Sequence, residues 1–392
     1  MVLRNTFVAH PFPHYYMPFF KPFIGKSVSF LLSGLFFLNS CVSINKSIPL
    51  TTRWDQQKAK EWGHQYGWMA GCNFIPSYAV NQLEMWQAET YQPKLIDQEL
   101  AMAENLGFKV VRVFLHHKVW EADRNGFKQR MEHFLLMAHK HGIKTMFVFF
   151  DDCWNEESQL GGQPLPKPYH NSGWVRDPGL KNTDNKALFP LLEEYVKDVM
   201  NHFARDKRVL MWDLYNEPGN AHPRYKMDLL QAVFVWARQS NATQPLTSGF
   251  YLPSSLPYGR KITKFQIENS DVISFHSYAK PKGVLKTIKK ALQLNRPIVC
   301  SEYMARTKAL VGLSGGNTFE QVLPLLKENG IIAINWGLVY GKTNTIYPWG
   351  KKKYKEGEEP PVWFHDIFRK DGSPFSEKEV EIIKSITKPQ EY

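Results

Sequence analysis

Eight short apolar runs, rich in β-branched and aromatic residues and separated by stretches of helical spacing, constrain this chain more than any other feature. They cover residues 67–74, 110–115, 144–150, 209–217, 245–248, 272–276, 298–302 and 331–336. Strands buried on both faces read as continuous apolar runs, and parallel strands alternating with helices need a layer of helix outside the sheet. Eight such units close a barrel, so the expected fold is α/β, a (β/α)8 TIM barrel forming a single domain with long βα loops. Helices are expected near 93–106, 126–141, 187–204, 224–240, 263–269, 283–293 and 318–328, with a last one after Pro374. The fifth unit is the weakest, because its helix is short.

Function in such barrels sits at the C-terminal strand ends. Those ends carry Asn73, Arg112 with His116, Asp151 and Asp152, Asn216 and Glu217, His276 and Tyr278, Glu302, and Trp336. Two runs stop at a glutamate, Glu217 and Glu302, 85 positions apart (302 − 217). An arginine inside an apolar strand is costly unless it meets a carboxylate, so Arg112 is expected to pair with one. Two carboxyl groups among donors and aromatic rings suit glycosidic cleavage, in which one protonates the leaving oxygen and the other attacks the anomeric carbon or activates water.

Asn216-Glu217-Pro218 closing the fourth run and Ser301-Glu302-Tyr303 closing the seventh resemble the clan-A glycoside hydrolases, most nearly family 5 (cellulases, mannanases and relatives). Arg112, the pair His276-Ser277-Tyr278 and Trp336 fall where that family places an arginine, a His-X-Tyr pair and a stacking tryptophan. The stretch from Gly71 through Glu84-Met85-Trp86 is similar to a bacterial subgroup. The third run ends in Asp151-Asp152, where the family usually has a histidine. The resemblance implies that Glu217 is the acid/base and Glu302 the nucleophile of a retaining double displacement, with no cofactor and no metal. The expected substrate contacts are Asn73, Arg112, Asp152, Asn216, His276, Tyr278 and Trp336 at or near the strand ends, with Trp86 in a loop on the cleft side. Arg112 and Tyr278 would hold Glu302 ionised, and the charge of Glu302 would raise the pKa of Glu217. Trp154 and Trp174 are further candidate sugar platforms.

Other readings compete. A net charge of +12 invites a nucleic-acid partner, but the basic residues are dispersed and no such motif accompanies them. His116-His117 with Asp151-Asp152 would suit a metal-dependent hydrolase, except that adjacent strand residues face opposite ways. An exo-acting β-mannosidase or β-galactosidase type, or a catalytically silent glycan-binding lipoprotein, are the alternatives to an endo-β-glycanase acting on oligo- or polysaccharides. Residues 1–41 read as a signal peptide, with an apolar core at 28–38 and Cys41 at a loose lipobox. This predicts an exported protein, a bacterial envelope lipoprotein of the periplasm or outer membrane whose lipid anchor is its one membrane contact. Residues 42–66 are then a tether and cap, 67–392 the catalytic domain, and the protein a monomer. Cys72, Cys153 and Cys300 are expected as buried thiols.

Overall fold

The computed structural model describes residues 53–388, apart from 221–226, 252–256, 310–314, 351–353 and 356. The expected leader with Cys41 and the tether up to residue 52 lie outside the described residues. Eight parallel strands form the centre: β1 (Ala70–Asn73), β2 (Val110–Phe114), β3 (Lys144–Asp151), β4 (Val209–Asn216), β5 (Leu246–Thr247), β6 (Ile273–His276), β7 (Ile298–Glu302) and β8 (Ile332–Trp336). Their order is β5-β4-β3-β2-β1-β8-β7-β6. The seam between β5 and β6 has no ladder of paired residues among those described and is held where Phe250 N donates to Ser274 O at 3.0 Å and His276 N to Phe250 O at 3.1 Å, with Thr247 Oγ1 and Ser274 Oγ hydrogen-bonded at 2.9 Å. The result is a nearly closed (β/α)8 TIM barrel.

The described helices are α1 (Gln56–Tyr66), α2 (Gln82–Trp86), α3 (Pro93–Asn105), α4 (His117–Ala122), α5 (Arg124–Lys140), α6 (Phe189–His202), α7 (Asp228–Gln239), α8 (Pro257–Asn269), α9 (Pro281–Leu292), α10 (Phe319–Glu328) and α11 (Glu377–Thr387). Their ends follow local chemistry. Pro93 occupies the first turn of α3, and the Asp123 side chain caps α5 by accepting from Gly126 N at 3.0 Å. β1 is shorter than its apolar run because Gly67, at φ 64°, ends α1 and donates back to Gly63 O. The fifth unit departs from expectation in both halves: β5 has two residues, while α8 starts at Pro257, well before 263. The short helices α2 and α4 had no counterpart in the apolar pattern.

Side chains alternate along the strands, which sorts them into layers. In β2, Val111 and Val113 join the large core between strands and helices, while Val110 enters the inner core at the bottom of the barrel. Trp62 of α1 packs on that inner layer with Met146, Leu210 and Ile332, so α1 plugs the N-terminal end. The same alternation points Arg112 into the barrel above that layer. Over the opposite end, the loops 152–188 and 337–376 meet. Asn171 N donates to Thr343 O at 2.7 Å, and Asn344 Nδ2 to Lys167 O at 2.7 Å.

Candidate active site

Arg112 is fully buried and organises the floor of the site. Its Nη1 donates to Glu302 Oε1 and to Asn73 Oδ1, each at 2.8 Å. Its Nε and Nη2 donate to Asp213 Oδ2 at 3.0 and 2.7 Å, and Nη2 also to Asn216 Oδ1 at 2.7 Å. Burial works against the charge of Arg112, but Asp213 and Glu302 outweigh it and hold the pKa above its ordinary value. Asn73 in turn donates to Ser301 O at 2.8 Å. Arg112 and Asn73 therefore stand beneath the cavity, fixing Glu302 and Asn216 from behind, where a substrate contact had been expected.

The cavity above them has a volume of about 540 Å³, within the range of small-molecule sites. Glu217, Glu302, Asn216, His276, Tyr278 and Trp336 all line it, on the ends of four strands and the residues just past them. Asn216 is locked in one amide orientation, since its oxygen accepts from Arg112 and its Nδ2 donates to Asp151 Oδ1 at 2.8 Å. Glu217 lies one residue beyond β4 with φ 44°, a left-handed conformation costly for a residue with a side chain. Its carboxyl receives Asn220 Nδ2 and the thiol of Cys153 at 3.4 Å, and one oxygen lies 2.7 Å from His276 Nδ1 in a shared hydrogen bond. Glu302 receives Tyr278 Oη–H at 2.8 Å in addition to Arg112, with His276 Nδ1 at 3.5 Å.

Burial raises the pKa of both carboxyls above the ordinary glutamate range. For Glu217, burial is the leading cause, opposed by Asn220, Cys153 and Arg112. For Glu302, burial is opposed by His276, Arg112 and Tyr278, while the charge of Glu217 adds to it, a repulsion that the two carboxyls share. The asymmetry lies in the donors: the guanidinium is in direct contact with Glu302 alone, which makes Glu302 the better seat for negative charge. Burial also pushes His276 down to about 4, so the imidazole between the two carboxyls is neutral at pH 7.

Two expected contacts lie elsewhere. Trp86 is fully buried in the outer core, with Nε1 donating to Phe114 O at 2.8 Å and its ring against Phe127 and Phe134. It sits on the inner face of α2, which the sequence pattern did not reveal. Asp152 is also fully buried, accepting from Tyr215 Oη at 2.8 Å and Gly219 N at 2.6 Å. Strand alternation turns Asp151 to the cavity in its place. Asp151 accepts from Trp174 Nε1 at 2.7 Å, and burial pushes it up to about 6 against bonds from Asn216 and Trp174.

His116 and His117 do come together, around Asp177, because the chain has left β2 and is starting α4 at that point. Asp151 and Asp152 are not part of that cluster. Cys72 and Cys300 are buried thiols, whereas Cys153 lies on the cavity wall. The two long loops supply walls: Trp154 and Trp174, expected there as aromatic platforms, line the cavity with His170 from one loop, and Trp349 and His365, which strand spacing did not indicate, come from the other. Trp349 meets Tyr278 edge-on at 4.7 Å, and His170 stacks on Trp154 at 5.2 Å. Asn220 had a signal that went unused, three residues past Glu217 in the same turn.

A sequence profile described as Cellulase (glycosyl hydrolase family 5) matches residues 70–341. A comparison with curated proteins found no match. Among solved structures, an endo-beta-1,4-mannanase from Thermotoga petrophila is similar over 83% of this chain and 77% of its own, with TM-score 0.51 and 16% identity. The hyperthermostable endo-1,4-beta-D-mannanase from Thermotoga petrophila RKU-1 is similar over 82% of this chain and 99% of its own, with TM-score 0.50 and 15% identity. The profile spans the whole barrel from β1 to the loop beyond β8, and with it both strand-end glutamates; the chain belongs to glycosyl hydrolase family 5 and is a glycoside hydrolase.

Proposed function

We propose that the enzyme hydrolyses β-glycosidic bonds with retention, Glu302 acting as nucleophile and Glu217 as acid/base. The observation that carries this reading is spacing: one carboxylate oxygen of Glu217 and one of Glu302 lie within 4.8 Å of each other. Retaining pairs stand about 5 to 5.5 Å apart and inverting pairs leave room for a water at roughly 6.5 to 9.5 Å. In the first step a Glu302 oxygen bonds to the anomeric carbon, the glycosidic C–O bond breaks, and the Glu217 proton passes to the leaving oxygen. In the second step Glu217, now a carboxylate, takes a proton from water; the water oxygen bonds to the anomeric carbon and Glu302 departs as carboxylate. Arg112 and Tyr278 stabilise Glu302 in its charged states. Trp336 offers a ring face to the sugar, and Asn216, held from two sides, presents its amide to the reacting ring.

Endo action on a polysaccharide is the first form of this reading, and the names of the two endo-mannanase neighbours make β-mannan a first substrate to try. A specific observation favours the exo form. The loops 152–188 and 337–376 are joined where His170 Nδ1 donates to Tyr347 O at 2.8 Å, and His170 meets Trp349 at 6.2 Å. That junction walls the Glu302 side of the cavity and would stop a chain from running through.

The test is product release from β-mannans, β-glucans, xylans and aryl β-glycosides by the protein and by its Glu302→Gln variant. We expect turnover on one backbone, the β-anomer formed first by NMR, and a loss of at least roughly a thousandfold in the variant, about 4 kcal/mol. Long products first indicate endo action and short ones exo action. Inversion, or a variant as active as the parent, overturns the assignment.

A further inference from the structure

One cation stands in the cavity wall with most of its hydrogen-bonding capacity unused. Arg176 is the only arginine or lysine among the described residues that line the cavity. Its side chain is 11% exposed, and its Nε is closed off from solvent with no partner. Its one carboxylate contact is long, Nη1 to Glu156 Oε2 at 3.4 Å. Glu156 is already engaged, accepting from Leu180 N and Lys181 N at 3.0 Å each. A guanidinium has five N–H donors in a planar fork, and leaving them unmet in a partly buried site is unfavourable. Arg176 also acts electrostatically on Asp152, whose carboxylate holds Gly219 N at 2.6 Å, two residues past Glu217. The guanidinium, carried by the loop 152–188, is thus within electrostatic reach of the turn that follows Glu217.

We propose that Arg176 binds an anionic substituent of the glycan, so that the enzyme prefers acidic β-glycans, bearing a carboxylate or a sulfate ester, over neutral ones. A carboxylate matches the guanidinium fork with two parallel hydrogen bonds, and a sulfate ester can do the same. The Arg112 charge does not compete for this role, because Asp213 and Glu302 already bind it. The chain carries a formal net charge of +12, still 12 − 3 = +9 without Arg4, Lys21 and Lys26 of the expected leader, and this excess draws a polyanionic substrate toward the molecule. The neutral state of His276 leaves Arg176 as the cation that such a group meets inside the cavity.

This inference rests on the retaining-hydrolase reading, and matched substrates separate the two. Each backbone, β-mannan, β-glucan and xylan, is supplied neutral, carboxymethylated and sulfated, and the readout is the ratio of kcat/KM for acidic to neutral forms. A ratio cancels any general loss of activity in a variant. We expect a ratio of at least about ten for the parent, expressed mainly in KM and falling in high salt as exposed charge is screened. In Arg176→Gln the ratio should fall to about one, and Arg176→Lys, which keeps the charge without the fork, should retain part of it. Preference for the carboxymethylated over the sulfated form would identify a uronate-like group, and the reverse a sulfate. A parent ratio near one, or one that survives Arg176→Gln, overturns the proposal while leaving the hydrolase assignment intact. Failure to hydrolyse any backbone, neutral or acidic, overturns the hydrolase assignment and this inference with it.

Discussion

At the scale of the residue, the site depends on one arginine serving four acceptors. Glu302, Asn73, Asp213 and Asn216 all take hydrogen bonds from Arg112 at 2.7 to 3.0 Å. Lysine would keep the charge but cannot reach around this ring of oxygens. Arg112→Lys should lower kcat at least about a hundredfold, because Glu302 loses its anchor. It should also reduce stability by on the order of 2 to 3 kcal/mol, since buried acceptors are left unmet. Chemical denaturation and turnover on an aryl glycoside check both; a kcat within threefold of the parent would contradict this account. Sequence made Glu217, Glu302, His276, Tyr278 and Trp336 visible because each ends a strand or follows it closely, and Arg112 because it is a charge inside an apolar strand. It could not decide between Asp151 and Asp152, where a single step along the chain exchanges the two faces.

At the scale of the element, the seam between β5 and β6 is where the barrel is thinnest and where His276 is set. β5 pairs with β4 through two residues, and the chain then needs Gly249 before Phe250 reaches across to β6. A Cβ on Gly249 would lie 3.0 Å from His276 Nε2 and 3.2 Å from the hydroxyls of Ser274 and Ser301. Those contacts are tight enough to push the imidazole by a few tenths of an ångström toward Glu217. Gly249→Ala should therefore lower kcat by about tenfold, with a stability change of no more than about 1 kcal/mol. Parallel thermal melts and turnover measurements separate the two effects; a melting point lowered as steeply as the activity would mean that the seam itself had opened. The two-residue β5 was hard to read because its length falls below any periodic signal, and α8 was underestimated for lack of an apolar stripe at its start.

At the scale of the whole molecule, buried acids far from the reaction shape the dependence of stability on pH. Burial pushes Glu99 and Asp152 up to about 7 in the folded state, against bonds from Ser77 and from Gly219 and Tyr215 respectively. A raised folded pKa means that the native chain holds a proton which the unfolded chain releases near pH 4 to 4.5. The stability it contributes is complete below the unfolded value and disappears as pH rises through about 7. His116 and His276, pushed down to about 4 by burial, act in the opposite sense. Their contribution is complete above about 6.5 and disappears as pH falls through about 4. Between these limits the two sets offset each other. Unfolding free energy should therefore be broadest from about pH 5 to 6.5 and decline above it, by up to roughly 1 kcal/mol per raised acid, before levelling off past pH 7. Glu99→Gln should remove its share of that alkaline decline; denaturant titrations at pH 5.5 and 8 with equal slopes in parent and variant would refute it.

The sequence by itself determined the class of fold and the chemistry at its centre. Apolar runs that end in Asn216-Glu217 and in Ser301-Glu302 place those groups at one mouth of a parallel barrel, whatever the loops do. Tertiary structure decided everything that depends on which loop meets which. Trp349 and His365 reach the cavity from the loop after β8, and His170 meets them from the loop after β3, 177 residues from its bonding partner Tyr347. Periodicity carries no information about such encounters, because loop conformation is fixed by a few long-range hydrogen bonds and ring contacts and has no repeat of its own. The burial that raises Glu217 and Glu302 was equally out of reach, since desolvation is a property of what surrounds a residue in space.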